Sequence, residues 1–281
     1  MTKKLSVPYT VIRDAVKAAL FEDLAGQRDI TSLLIPETTY ANAHVVTREN
    51  MLLCGQAWVN EIFQQIDTSI RIDWKFSDGN SVSANQIIFR LNGPARSLLT
   101  GERTALNFLQ TLSGTATVTH KYAKLLKSSK TKLLDTRKTI PGMRLAQKYA
   151  VRCGGGYNHR MGLYDAFLIK ENHIHAFGSI TKVILTAKKI APDKKVEIEV
   201  ENLQQLQEAI NAKADIVMLD NFTLKQMQKA VAINRKQVKL EVSGSINLEN
   251  IKDIANTGID YISVGALTKN VTAIDLSMQL K

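Results

Sequence analysis

From about residue 130 onward the chain repeats one pattern, and that repetition limits its fold more than any other feature. Short apolar runs end near Asp135, Ile169, Val200, Leu219, Val242 and Val264, and amphipathic segments of helical period lie between them. Ile180, Val183, Ile184 and Ala187 form one apolar face, and Leu203, Leu206 and Ile210 form another. Thr223 and Gln226 make a capping box ahead of Met227 and Val231; Leu248, Ile251 and Ile254 lead to a stop at Gly258. Strand–helix units recurring every ~20–35 residues predict a parallel sheet, whose natural closure is a barrel. Six strands fall short of the usual eight, so the barrel is expected to be incomplete.

The first third reads differently. Thr10 is expected to cap a helix whose apolar face is Val11, Ala15, Val16 and Ala19. Ile70, Ile72, Trp74 and Phe76 alternate with Arg71, Asp73 and Lys75, a half-buried strand closed by the turn Asp78-Gly79. Gln86 to Leu91 reads as a second strand, and Ala41 to Arg48 as a weaker third. From Glu102 to about Leu126 the period is helical, with Gly114 a candidate break between two helices. At the other end, Ile274, Leu276, Met278 and Leu280 alternate with polar residues. Such a strand suits a sheet with one wet face and is expected to return to the N-terminal domain.

Composition narrows the function. Hydrophobic residues make up 44% of the 281, enough for a core, and the net charge is +11. A basic surface can serve nucleic acid, but aromatics are only 6% and no basic run interleaves with them. Anionic small molecules are the better-supported partners. No apolar stretch approaches the ~18 residues of a membrane span. MTKKLSVPYT lacks the apolar run of a signal peptide, so a cytoplasmic protein is expected, with Cys54 and Cys153 as free thiols.

Chemistry in a barrel of this kind gathers where the strands end. The residues there are Thr136-Arg137-Lys138, Lys170, Glu199 and Glu201, Asp220-Asn221, Ser243-Gly244-Ser245 and Gly265-Ala266. A charged residue after one strand is usually only solvated; a concerted set of cations, then acids, then small loops is harder to dismiss. The span from Leu134 to His173 adds Arg144, Lys148, Arg152, His159, Arg160 and His173 around Gly154-Gly155-Gly156, against only three acids, Asp135, Asp165 and Glu171. Arginine forks bind carboxylate or phosphate by paired hydrogen bonds. The two late glycine loops suit a phosphate approached by backbone N–H groups. Glu199 and Asp220 suit ribose hydroxyls or the surroundings of Mg²⁺. A rival reading makes Lys170 a Schiff-base lysine, as in aldolases.

The segments DTRKTIPGMR, GGGYNHRMGLYDAFLIKENH, ERTALNFLQTLSGTAT and SVGALT resemble quinolinate phosphoribosyltransferases, over nearly the whole chain. The resemblance implies an N-terminal α/β sandwich domain in 1–115, joined by the C-terminal strand 270–281, and an incomplete α/β barrel in 116–269. It implies reaction of quinolinate with phosphoribosyl pyrophosphate, giving nicotinate mononucleotide, pyrophosphate and CO₂ with Mg²⁺. Arg137, His159, Arg160 and Lys170 then resemble quinolinate-binding cations. Arg103 resembles an arginine lent by the other subunit of a homodimer. Thr136 and Lys138 lie near the pyrophosphate, and Glu199 and Asp220 resemble the ribose-binding acids. Ser243, Gly244 and Ser245, with Val264, Gly265 and Ala266, resemble the phosphate loops. Lys138, Lys170, Glu199 and Asp220 are the expected catalytic groups, with no direct protein ligand to the metal. The chain departs from the family at Ala25, Arg28 and Ser245, where glycine is commoner.

Overall fold

A computed structural model describes residues 6–281. The chain opens with helix α1 (Tyr9–Leu24), followed by strands β1 (Tyr40–Thr47) and β2 (Met51–Leu52), helix α2 (Gln56–Ile66), strands β3 (Arg71–Trp74), β4 (Ser81–Val82) and β5 (Ile87–Pro94), and the long helix α3 (Ala95–Leu125). After it come β6 (Lys132–Leu134), α4 (Arg144–Cys153), β7 (Ala166–Ile169), α5 (Glu171–Phe177), α6 (Ile180–Ile190), β8 (Lys195–Val200), α7 (Leu203–Asn211), β9 (Ile216–Asp220), α8 (Leu224–Asn234), β10 (Lys239–Ser243), α9 (Ile251–Asn256), β11 (Tyr261–Ser263), α10 (Ala266–Lys269) and β12 (Leu276–Leu280).

Two compact units result, one of Met1–His120, Ile140–Gly155 and Asn270–Lys281, the other of Lys121–Thr139 and Gly156–Lys269. Helix α4, inside the stretch expected as barrel, therefore counts with the first unit. That unit holds an antiparallel sheet in the order β12-β1-β5-β3. The C-terminal strand does return to it, with Leu276 opposite Thr47 and Met278 opposite Val45. Its core joins Trp58, Phe63, Phe89, Leu106 and Leu109 to Ile274 and Leu276.

Three local expectations are corrected here. Helix α1 is preceded by Pro8, not capped by Thr10, and its buried line is Ile12, Val16 and Leu20, with Val11, Ala15 and Ala19 on its flanks. Helix α3 runs through Gly114 without a break. A Cβ on Gly114 would lie 2.2 Å from the Thr272 carbonyl oxygen, so the glycine serves close approach of chain to helix. Lys148, counted among the candidate cations, is fully buried on α4.

In the second unit all six expected strands form one parallel sheet, in the order β6-β11-β10-β9-β8-β7. The last strand of this unit, β11, thus pairs with its first, β6, and the described residues leave one seam unpaired, between β6 and β7. This is an incomplete barrel. Its helices begin as the sequence directs: Thr223 and Gln226 form the capping box of α8, and Asn202 caps α7. Strand alternation sends Val196, Ile198 and Val200 of β8 to one face and Glu197 and Glu199 to the other.

Candidate active site

The inward residues of the six strands line two cavities, one toward each end of the strands. The cavity at the C-terminal ends, about 330 Å³, is bounded by Thr136, Arg137, Lys138, His159, Arg160, Lys170, Glu199 and Ser243. It brings together eight of the residues singled out in the sequence. Leu168, Met218 and Ser263 complete its wall, and sequence reasoning had missed them. They sit one inward position before Lys170, Asp220 and Gly265, so strand alternation was the signal that could have found them.

His159 and Arg160 reach the barrel through its unpaired seam. Tyr157 bridges to Leu134 in parallel fashion, which lays the segment from Gly156 to Arg160 beside β6. Asp135 is fully buried and anchors that segment: its Oδ1 accepts from the His159 N–H at 2.9 Å and its Oδ2 from Asn158 Nδ2 at 2.6 Å. Asp165 accepts from the N–H groups of Met161 and Gly162, closing the next loop. Both aspartates are thus scaffold, a role without a local signature in the sequence.

Arg137 and Arg160 define the electrostatics. Burial and the neighbouring Arg137 charge together pull the Arg160 guanidinium below its ordinary pKa, against the attraction of Glu197, Asp165 and Glu199. The Arg137 Nε is buried with no hydrogen-bond partner among the described residues. Two neighbouring guanidinium groups, one with a buried donor unpartnered among the described residues, suit an anion with paired acceptor oxygens. Lys170 ends β7 and meets Glu199 of β8 through its Nζ. His173 does not enter the cavity; its Nδ1 accepts the Lys170 N–H and caps α5.

His159 is more enclosed than expected for a group facing a ligand. Its Nδ1 accepts the Arg160 N–H at 2.7 Å, and its Nε2 lies 2.9 Å from Glu197 and 3.5 Å from Glu241. Both ring nitrogens are therefore engaged by the protein, and the ring gives the cavity an edge.

The remaining candidates lie around this cavity. Asp220 borders a neighbouring cavity of about 220 Å³ with Glu171, His175, Glu199 and Glu201. Gly244 has φ +99, and a Cβ there would lie 2.9 Å from Asn221 Oδ1; Ser245 follows in the left-handed region at φ +50. A Cβ on Gly265 would lie 3.0 Å from the Lys138 side chain and 3.6 Å from Thr136 Oγ1, so the turn Val264-Gly265-Ala266 packs onto the Thr136–Lys138 loop. The Lys138 carbonyl accepts from Thr268 Oγ1, which ties the same two segments. Arg103 is exposed on α3 in the first unit.

Comparison with known proteins assigns the chain to a family. Residues 29–113 match the model of the quinolinate phosphoribosyl transferase N-terminal domain, and residues 115–279 match that of the C-terminal domain. The chain belongs to the quinolinate phosphoribosyl transferase family. Among relatives, a probable nicotinate-nucleotide pyrophosphorylase (carboxylating) of Bacillus subtilis is 40% identical over 260 residues, 92% of this chain and 90% of that one. The nicotinate-nucleotide pyrophosphorylase (carboxylating) of Mycobacterium leprae is 39% identical over 97% of this chain and 98% of its own. The solved nicotinate-nucleotide pyrophosphorylase of Francisella tularensis superposes with a TM-score of 0.96 at 55% identity, each chain covered completely. Membership in the family accounts for the architecture of an N-terminal sheet unit and a parallel-sheet unit.

Proposed function

We propose that the upper barrel cavity joins quinolinate to phosphoribosyl pyrophosphate and releases nicotinate mononucleotide, pyrophosphate and CO₂, a step of NAD synthesis. The observation that carries this reading is the Arg137–Arg160 pair, with Lys138 and Lys170 beside it, in one cavity. Quinolinate brings two adjacent carboxylates, which match two adjacent guanidinium forks. An aldolase reading of Lys170 is less well supported, since its amine is engaged with the Glu199 carboxylate.

The chemistry follows from the charges. The cations hold the pyridine ring so that its nitrogen attacks the anomeric carbon as pyrophosphate departs. Glu199 and Asp220, from neighbouring strands, suit the ribose hydroxyls and favour the positive charge that develops on the sugar. Lys138, packed against Gly265, and the loops Ser243-Gly244-Ser245 and Val264-Gly265-Ala266 suit the phosphates. The carboxylates of Glu171, Glu199, Glu201 and Asp220 around the neighbouring cavity suit a hard cation such as Mg²⁺, carried in on the pyrophosphate without a direct protein ligand. Bound there, Mg²⁺ would neutralise leaving-group charge. Once the nitrogen is alkylated, its positive charge draws electrons from the adjacent C–CO₂ bond, and CO₂ leaves without a further cofactor.

The same reading includes a homodimer with composite sites, to which the exposed Arg103 is lent, and a cytoplasmic setting, where Cys54 and Cys153 stay as thiols. Exposed Phe21, Ile30, Leu34 and Tyr40 on the first unit support a partner surface. Among the described residues no helix is long and apolar enough to cross a membrane.

The test is binding. Arg137→Ala and Arg160→Ala should each weaken quinolinate by about 2–5 kcal/mol in calorimetric titration, with an unchanged circular dichroism spectrum. Normal quinolinate affinity in either variant would refute the assignment.

A further inference from the structure

The second barrel cavity, about 490 Å³, opens at the N-terminal ends of the strands, where Lys132, Lys195 and Tyr261 line it. Asp193 and Lys195, at its rim, are exposed. His159 and Arg160 border both cavities. Between them lies a layer that is acidic where barrel interiors are usually apolar. Glu197 and Glu241 are buried, and both Glu241 oxygens and Glu197 Oε1 lack a well-formed hydrogen bond. Glu241 belongs to the lower cavity. The hydroxyl of Ser263, on the neighbouring strand β11, is likewise buried without a hydrogen-bond partner among the described residues, and it belongs to the upper cavity.

The trio His159, Glu197 and Glu241 has the proximity of a metal site, with ligand atoms within 4.8 Å. The histidine tautomer argues otherwise. Its Nδ1 accepts the Arg160 N–H, so Nε2 bears the proton and lies 2.9 Å from Glu197. A metal would need that nitrogen bare, with a donor N–H at Nδ1. The cluster is better suited to holding protons.

We propose that Glu241 and Ser263 form a proton path from the lower cavity to the upper one, and that it supplies the proton that replaces the lost carboxylate on the pyridine ring. The proposal rests on the function argued above. When the C–CO₂ bond breaks, its electron pair stays on the ring carbon beside the positive nitrogen and CO₂ departs neutral. That pair takes the proton of the Ser263 hydroxyl, the Glu241 carboxyl restores it, and water in the lower cavity reprotonates Glu241. One solvent proton is consumed per turnover. With the sugar and pyrophosphate seated at the strand ends, the lower mouth remains the route for water.

The relay needs a neutral Glu241. Burial and the facing charges of Glu197 and Glu199 push its carboxyl up to about 8, against the opposing pull of His159 and Ser263. The acid is therefore protonated at neutral pH and loses its proton above that range.

Single-turnover quench experiments separate the steps. In Glu241→Gln and in Ser263→Ala, pyrophosphate release should stay within about twofold of the unaltered protein, while CO₂ release slows about 100-fold and the dicarboxylated mononucleotide accumulates. Ser263→Thr, which keeps the hydroxyl, should restore CO₂ release. In the unaltered protein that step should decline above pH of about 8, and in Glu241→Gln the decline should vanish. CO₂ release at the normal rate, or all steps slowed equally as for a folding defect, would overturn the relay. Absence of pyrophosphate from the unaltered protein would instead remove the functional reading on which the relay depends.

Discussion

Ala25 and Ser245 carry side chains where the backbone favours none. Ala25 ends α1 at φ +48, and Ser245 follows Gly244 at φ +50. The backbone at both positions is one that glycine adopts freely, so the side chain there has a cost. The left-handed region disfavours an L side chain by about 1–2 kcal/mol, partly offset by the chain entropy that glycine loses on folding. Ala25→Gly should therefore stabilise the protein by up to about 1 kcal/mol in denaturant melts, and a loss of stability would contradict this account. Glu241 makes a second prediction at this scale. Its folded pKa is raised to about 8, above its unfolded value, so its contribution to stability is fully present below about pH 4.3 and is lost as pH rises through 8. Stability should fall over that window with a slope approaching ~1.4 kcal/mol per pH unit. Glu241→Gln should flatten it; an unchanged slope would argue against a protonated acid. The strand-end cations were legible in the sequence because each follows an apolar run. Glu241 was not, because its meeting with Glu197 depends on the register of β10, β9 and β8.

Among the elements, the barrel strands were the easiest to read, since parallel strands buried on both faces give continuous apolar runs. Helix α3 was misread at Gly114 because a glycine signals a break unless its packing is known. Gly114→Ala tests the packing explanation. Helix propensity alone predicts a gain of about 1 kcal/mol, but a Cβ 2.2 Å from the Thr272 carbonyl must displace that backbone. A net loss of about 1–3 kcal/mol is expected in urea melts, and a stabilised variant would contradict the close approach. Similarly, the residues that seat Gly156 to Arg160 beside β6 had no local signature. Asp135 ends a strand in a motif otherwise read for its cations, and only the paired contacts to Asn158 and His159 reveal its anchoring work. The glycine triplet announced a tight turn but not that the following segment enters the barrel seam.

For the whole molecule, the surplus of 37 Lys and Arg over 26 Asp and Glu has a local use in the cavity that holds Arg137, Lys138, Arg160 and Lys170. If Arg103 completes the site of a second subunit, Arg103→Ala and Lys170→Ala should each be inactive alone, and re-associated mixtures should recover about a quarter of the activity, because random pairing leaves one intact site in half the dimers. Mixtures that stay inactive despite proven heterodimers would deny the shared site. The central claim, that the cavity is built for two carboxylates and removes one, is tested most directly by supplying phosphoribosyl pyrophosphate and Mg²⁺ with either quinolinate labelled in the carboxyl next to the ring nitrogen or nicotinate. The account predicts labelled CO₂ and nicotinate mononucleotide in equal amounts from quinolinate, and negligible product from nicotinate. Equal use of nicotinate, or nucleotide formed with the label retained, would contradict it.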